Sequence, residues 1–500
     1  MAELDRRSFL KTSVATGAGA AVLGGPLAGF LAAPAVAGAG RDTQNALRDV
    51  HDLRDGQVRL ALPDGFQYRS FQPSRRGAPD QLVLDDGSKL PGRHDGMAAF
   101  AGPGSLVTLV RNHEENGSAL NGAFGVAGSP VYDTSALGGT STVHVSLDGV
   151  VDHSFASLSG TQMNCSGGRM PWGSWITCEE TVNGYDVGDD FTRPAGAHVL
   201  AQATNSRLQK NHGYIFEVPA DGRASAEPIT HAGRFAHESV AWEGGALYLS
   251  EDNFSFPSGF YKYVPPEDAD RVGRLLDGGR LYMLKVKDVA NADLARHLPD
   301  RTSFDVEWVE IDQPSFDFGR PAAGALAAKS NDDAIQFVSG QGLAKGAAKF
   351  SRLEGTVADR GWIYFTSTQG GVAAGPTQPD TIGGFGKGWG QIWGFDTATE
   401  TLHMLYESPS RDVLDFPDNV TTSARGTLVV CEDGANFNFL RGLTRKGELF
   451  DIAQNKIATQ LNDEFAGSTF SPDGRTLFVN IQAGQGVSLA IWGPWGRIGV

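Results

Sequence analysis

Two cysteines thirteen residues apart, in NCSGGRMPWGSWITCEET (residues 164–181), are the first residues of this sequence with evident chemical potential. The third cysteine, Cys431, lies in a similar fragment, VVCEDG. In both fragments an acid follows the cysteine directly, Glu179 after Cys178 and Glu432 after Cys431. Thiols beside carboxylates are metal ligands or buried packing residues, and a Cys165–Cys178 disulfide is a third alternative.

The fragment has relatives along the chain. HESVAWEGGALYLSED begins at His237, LEGTVADRGWIYFTST at Leu353, PDNVTTSARGTLVVCED at Pro417 and FAGSTFSPDGRTLFVNI at Phe465. A looser copy, HDGMAAFAGPGSLVTLVRNHE, begins at His94, which makes six. Each has a fixed early position, then a turn glycine, then a late position six residues beyond it. The early positions are Asp95, Cys165, Glu238, Glu354, Asp418 and Ala466. The glycines are Gly104, Gly173, Gly245, Gly361, Gly426 and Gly474. The late positions are Glu179, Glu251, Ser367, Glu432 and Asn480, with Asn112 or Glu114 as the equivalent in the first copy.

Equivalent positions of a cyclic repeat converge on its axis, so the spacing predicts two acidic rings at one end of a channel. Such acids cannot stay ionised and unpaired. Desolvated like charges raise each other's pKa or force the structure apart, and cations relieve both. Oxygen-rich sites suit Ca²⁺, Mg²⁺ or Mn²⁺, whereas a thiolate draws a transition metal such as zinc or iron. The repeat thus predicts a multi-metal site with a transition metal at Cys165. Cys178 and Cys431 share the place before the late acid, and strand alternation turns them away from the channel, as buried thiols. His113 and His237, beside the expected ligands, are read as supporting or packing residues.

Short Val/Ile/Tyr/Phe/Thr runs separated by turn residues read as strands. A second hairpin follows most copies, as in GQIWGFDTATETLHMLYES (residues 390–408), giving four strands per copy. Six four-stranded units predict an all-β, six-bladed propeller with loops and short helices inserted between blades. The long interval before Glu354 places an irregular, partly helical insertion at about residues 265–350, set to cover the channel mouth, with a smaller one at about 182–210. The last copy lacks length for a full blade, and QVRLAL and FQYRSF (residues 57–71) are expected to supply its outer strand, closing the ring without a free sheet edge.

DRRSFLK, a Gly/Ala-rich stretch and Ala35-Val36-Ala37 mark residues 1–37 as a twin-arginine export signal, with residues 38–500 as one mature domain. That route carries folded proteins, often with a cofactor already inserted. No later run is long and apolar enough to span a membrane. The formal net charge of -16 excludes nucleic acid and anionic membrane as partners.

The same motifs, with LVRNHE, GGTSTV, GRFAHESV, LSEDN and FSRLEG, resemble in order the PhoX-type alkaline phosphatases over essentially the whole mature chain. The resemblance implies a monomeric propeller in the periplasm or outside the cell, hydrolysing phosphomonoesters after export by the twin-arginine translocase. It implies a cofactor of ferric iron (Fe3+) and calcium joined by a bridging oxo group. The family's cysteine ligand matches Cys165. Its iron- and calcium-binding acids match Glu238, Glu354, Asp418, Glu179, Glu251 and Glu432, to which the repeat adds Asp95 and Glu114. Glu354 matches the bridging glutamate, and Arg352, two residues earlier, the arginine that holds substrate phosphate. Two rivals are a calcium-dependent lactonase or esterase and a non-catalytic propeller clamped by calcium. Neither needs a thiol, so metal content separates them from the phosphatase.

Overall fold

The computed structural model describes residues 46–189, 205–299, 301–323, 325–372 and 385–500. The signal segment, and residues 190–204 of the smaller insertion, lie outside them.

Each copy becomes an antiparallel hairpin, because two β-branched and aromatic runs flank a glycine turn. The six inner strands are His94–Ala101, Asn164–Arg169, His237–Glu243, Leu353–Asp359, Pro417–Thr422 and Phe465–Phe470. They define units one to six. Neighbouring inner strands lie side by side in chain order, and Phe465–Phe470 returns to lie against His94–Ala101. The result is a closed, propeller-like ring in an all-β chain with few and short helices.

Further strands extend each hairpin outward. Apolar clusters fill the space between neighbouring sheets. Trp175 and Phe216 meet Phe100 and Val110 between units two and one. Cys178 joins Ile176, Val240 and Leu249 between units two and three, and Cys431 joins Val429, Phe465 and Val479 between units five and six. All three cysteines are free, so the Cys165–Cys178 disulfide does not form.

Two connections differ from expectation. FQYRSF closes unit six: Gln67–Ser74 pairs with Gly486–Trp492. QVRLAL instead joins unit five, where Val58–Leu62 pairs with Leu449–Asn455. The long insertion is less irregular than predicted. Arg280–Val286 is the outer strand of unit three, and Ser303–Glu310 pairs both with it and with Thr401–Glu407 of unit four. Units three and four thereby share one nine-stranded sheet. One short helix, Ala269–Val272, precedes these strands, and two more, Asn331–Ile335 and Phe337–Ala344, follow them.

Candidate metal centre

All six inner hairpins carry a β-bulge at the same place. The register shifts between His94 and Met97, Asn164 and Gly167, His237 and Val240, Leu353 and Thr356, Pro417 and Val420, and Ala466 and Thr469. In each, two residues oppose one, which bends the strand and re-aims a side chain. The first bulged residue is Asp95, Cys165, Glu238, Glu354, Asp418 and, in unit six, Gly467. The register therefore moves the early position of unit six from Ala466 to Gly467, and neither residue is acidic.

The bulge also shifts the second ring. The residues paired just before it are His113, Glu179, Glu251, Ser367, Glu432 and Asn480. One residue later come Glu114, Glu180, Asp252, Thr368, Asp433 and Ile481. Five of these six bond back to one equivalent place: the amides of Glu114, Glu180, Asp252, Thr368 and Asp433 donate to the carbonyls of Arg93, Met163, Ala236, Arg352 and Phe416.

The two rows have opposite fates. Glu179 accepts from the amides of Gln162 (2.9 Å), Gly213 (2.8 Å) and Tyr214 (3.1 Å), and its Oε1 lies 2.6 Å from His212 Nδ1. Glu251 accepts from the Gly259 amide and the Tyr261 hydroxyl, both at 2.8 Å. Glu432 accepts from the amides of Asp415 and Phe439, both at 3.1 Å, and from Arg441 Nε at 2.8 Å. These three acids fasten the start of the third strand and stand outside the groups of closely spaced potential ligands.

Asp95, Cys165, Glu238, Glu354 and Asp418 of the bulge, with Glu114 and Glu180 of the later row, form those groups, and Asp252 and Asp433 stand outside them. Ligand atoms of Asp95, Glu114 and Cys165 lie within 4.8 Å of one another, as do those of Cys165, Glu180 and Glu238, and those of Glu238, Glu354 and Asp418. Cys165 and Glu238 each belong to two groups, so the three overlap in a chain. The Cys165 thiol is 2.7 Å from Glu180 Oε2. Arg352 donates to Asp252 Oδ2 at 2.8 Å and to Glu354 Oε1 at 2.7 Å. Gln482 Nε2 donates to Asp95 Oδ2 at 2.6 Å, and Arg93 pairs with Glu114. His113 bonds the Gly92 carbonyl and Ser141, and His237 the Gly233 carbonyl. Both histidines are thereby engaged as supporting residues.

The electrostatics are those of a site short of positive charge. Burial, then neighbouring acids, pushes the carboxyls of Asp95, Glu180, Glu238 and Glu354 well above their usual range. Burial also raises Asp418, and with Asp418 it lifts Asp433 to about 7. Burial, Glu180, Glu238 and Asp95 together push the Cys165 thiol up. Glu464, from the loop before unit six, is raised by burial and by Asp433 and Asp418. Against these acids the cluster sets Arg93 and Arg352. The donor set, buried carboxylates with one thiol, fits hard cations beside one thiophilic ion.

Sequence reasoning missed Glu180, Asp252, Asp433 and Glu464. The first three are the second acids of the doublets Glu179-Glu180, Glu251-Asp252 and Glu432-Asp433. Those doublets were the available signal, because alternation sends the two members to opposite faces. Glu464 falls outside the repeat and had none.

The profile of the family described as alkaline phosphatase PhoX matches residues 48–151 and 130–484, and the twin-arginine signal profile matches residues 3–23. A comparison with curated protein sequences finds no match. Among solved structures, PhoX of Pseudomonas fluorescens in complex with vanadate is similar with TM-score 0.60 at 19% identity, covering 91% of this chain and 98% of that one. A virginiamycin B lyase from Staphylococcus aureus (TM-score 0.37, 11% identity, 85% and 99% covered) and a gluconolactonase from Xanthomonas campestris (0.34, 13%, 84% and 95%) are more distant. No described helix is long and apolar enough to cross a membrane. The family match spans most of the chain: it belongs to the alkaline phosphatase PhoX family, metal-dependent phosphatases, and is exported by the twin-arginine pathway.

Proposed function

We propose that phosphomonoesters are hydrolysed at an iron–calcium cluster held at one end of a six-bladed propeller, formed by residues 38–500 acting as a monomer. The blade count is supported by the closed ring of six inner strands, with units three and four read as two blades joined by Ser303–Glu310. The observation that carries the reading is the chain of three overlapping ligand groups with a single thiol among carboxylates. Cys165 would hold iron, with Glu180 and Glu238 beside it. Glu238, Glu354 and Asp418 at one end, and Asp95 and Glu114 at the other, would hold further ions, with Asp252, Asp433 and Glu464 nearby. Glu179, Glu251 and Glu432 are assigned to the scaffold instead.

When bound, the ions supply Lewis acidity at the phosphoryl oxygens. The chain's own part is placement. Arg352 has φ of 43°, a left-handed conformation that a side chain adopts only at a cost of about 1–3 kcal/mol. Asp252 and Glu354 hold its guanidinium, and the Phe254 ring lies 5.2 Å beneath it. A fixed guanidinium beside the cluster suits the oxygens of the phosphoryl group. Glu354 links the two functions, bonding Arg352 while sharing a ligand group with Glu238 and Asp418.

The test is elemental analysis of protein exported through its own signal, with a phosphomonoester assay on wild type and Cys165→Ser. Iron and calcium in the wild type, with iron and activity lost together in the variant, is the expected result. Calcium without iron in an active wild type would overturn the iron assignment.

A further inference from the structure

Arg352 has a counterpart. Counted from the bulge, Arg352 stands two residues before Glu354, and Arg93 stands two residues before Asp95. Both have left-handed backbones, with φ of 43° and 46°. Met163 and Phe416 hold the same place in units two and five, with φ of 46° and 51°. The conformation thus belongs to the repeat, but only units one and four put a guanidinium on it. These units are opposite in a ring of six.

The two guanidiniums are held alike. Arg352 spends Nε and Nη2 on Asp252 and Glu354. Arg93 spends Nε on the Glu114 carbonyl (2.7 Å), and Nη2 on the Glu114 carboxylate and Gln482 Oε1 (3.1 Å for the latter). Among the described residues, Nη1 of each bonds nothing. Their side chains are 14% and 22% exposed, enough to meet a ligand and too little to wander.

They serve different ends of the cluster. Arg93 is bonded to Glu114, in the group with Asp95 and Cys165, and Arg352 to Glu354, in the group with Glu238 and Asp418. Those two groups share no residue. Each guanidinium is therefore tied to its own ligand group. Unit six puts Gly467 and Ile481 where other units put the bulged acid and the acid of the later row, and Asp463, just before that unit, lies within electrostatic reach of Arg93.

Resting on the assignment of this cluster as the reaction site, we propose that Arg93 binds a second anionic group, carried by the leaving part of the substrate. The enzyme is then selective for phosphomonoesters that bear a carboxylate or second phosphate a few bonds from the scissile one.

The experiment compares glycerol 3-phosphate with 3-phosphoglycerate, which differ by a carboxylate, in excess calcium. Wild type should prefer 3-phosphoglycerate. Arg93→Gln should lower the ratio of the two kcat/KM values about tenfold or more, through KM, and Arg93→Lys should restore much of it. Arg352→Gln should lower kcat for both substrates and leave the ratio unchanged. A ratio within about twofold of wild type in Arg93→Gln overturns the proposal, as does loss of bound metal in that variant, which would make Arg93 a prop for Glu114. Full kcat in Arg352→Gln would instead sink the cluster assignment, whatever the ratio does.

Discussion

Glu179 and Glu180 are neighbours on one strand end, and the structure treats them as opposites. Glu179 is surrounded by backbone amides and His212, whereas Glu180 faces a thiol and other acids. Glu251 and Glu432 likewise bond the start of the third strand, whereas Asp252 is held by Arg352 of another unit and Asp433 stands beside Asp418. In the first row the protein supplies amide, hydroxyl, guanidinium and imidazole partners, although burial still raises Glu251 to about 8 and Glu432 to about 7. The second row is charge that the protein gathers and answers in part, with Arg93 on Glu114 and Arg352 on Asp252. Buried acids therefore do not identify a metal site by burial or position in a repeat. What marks the cluster is convergence: ligand atoms of Asp95, Glu114, Cys165, Glu180, Glu238, Glu354 and Asp418 crowd one another, with Arg93 and Arg352 as the cations that bond them.

The largest effect should come from a carboxylate shared by two ligand groups. Glu238→Gln is expected to lower kcat by about a hundredfold or more, on the scale of removing one preorganised charged group from an active site. It should also lower bound metal, while the metal-free protein melts no earlier than wild type, because a like charge has gone. Next is the exchange within one doublet. Glu180→Gln should lose metal and keep its fold. Glu179→Gln should keep metal per folded molecule and lose about 1–3 kcal/mol in denaturant unfolding, as buried donors lose their acceptor. If the two variants trade phenotypes, the bulge has been placed in the wrong frame.

A pH effect sharpens the comparison. Burial alone would lower the pKa of His212, but Glu179 and Asp133 raise it to about 9. A histidine whose folded pKa exceeds its unfolded value of about 6.5 adds stability that is complete below 6.5. That stability is lost as pH rises from there through about 9, and amounts to about 3 kcal/mol in all. Unfolding of wild type in excess calcium should show this slope, and His212→Asn should flatten it. The smallest effect belongs to the packing thiols. Cys431→Ala should cost about 1 kcal/mol of stability, with bound iron unchanged.

Much of this was legible in the sequence because the repeat is. Asp95, Cys165, Glu238, Glu354 and Asp418 share a frame that strand-and-turn spacing preserves, and FQYRSF had the alternation of an outer strand. The offset between the expected second ring and the later row has one cause. A bulge adds a residue on one side of a hairpin, and counting across the turn cannot see it, so the count stopped one residue short in five copies. In the first copy, where the strict spacing fails, one of the two expected residues, Glu114, falls in a group of closely spaced potential ligands. Glu464 reaches Asp418 from a loop that no periodicity governs. The strand Ser303–Glu310 was hidden for another reason: its partners, Arg280–Val286 and Thr401–Glu407, come from two different units.

The pairing of Gln67–Ser74 with Gly486–Trp492 sets an order of events in the cell. The export signal is the first part of the chain to leave the ribosome, and the strand that shuts the ring is almost the last. Between them every ligand of the cluster is synthesised. Until that strand arrives, unit six has no partner for its outer edge and no fixed seat beside unit one, so Asp95 and Asp418 have no settled separation. Loading of metal therefore follows completion of the polypeptide, and a translocase that accepts only folded cargo is in effect waiting for one hairpin's worth of residues at the far end.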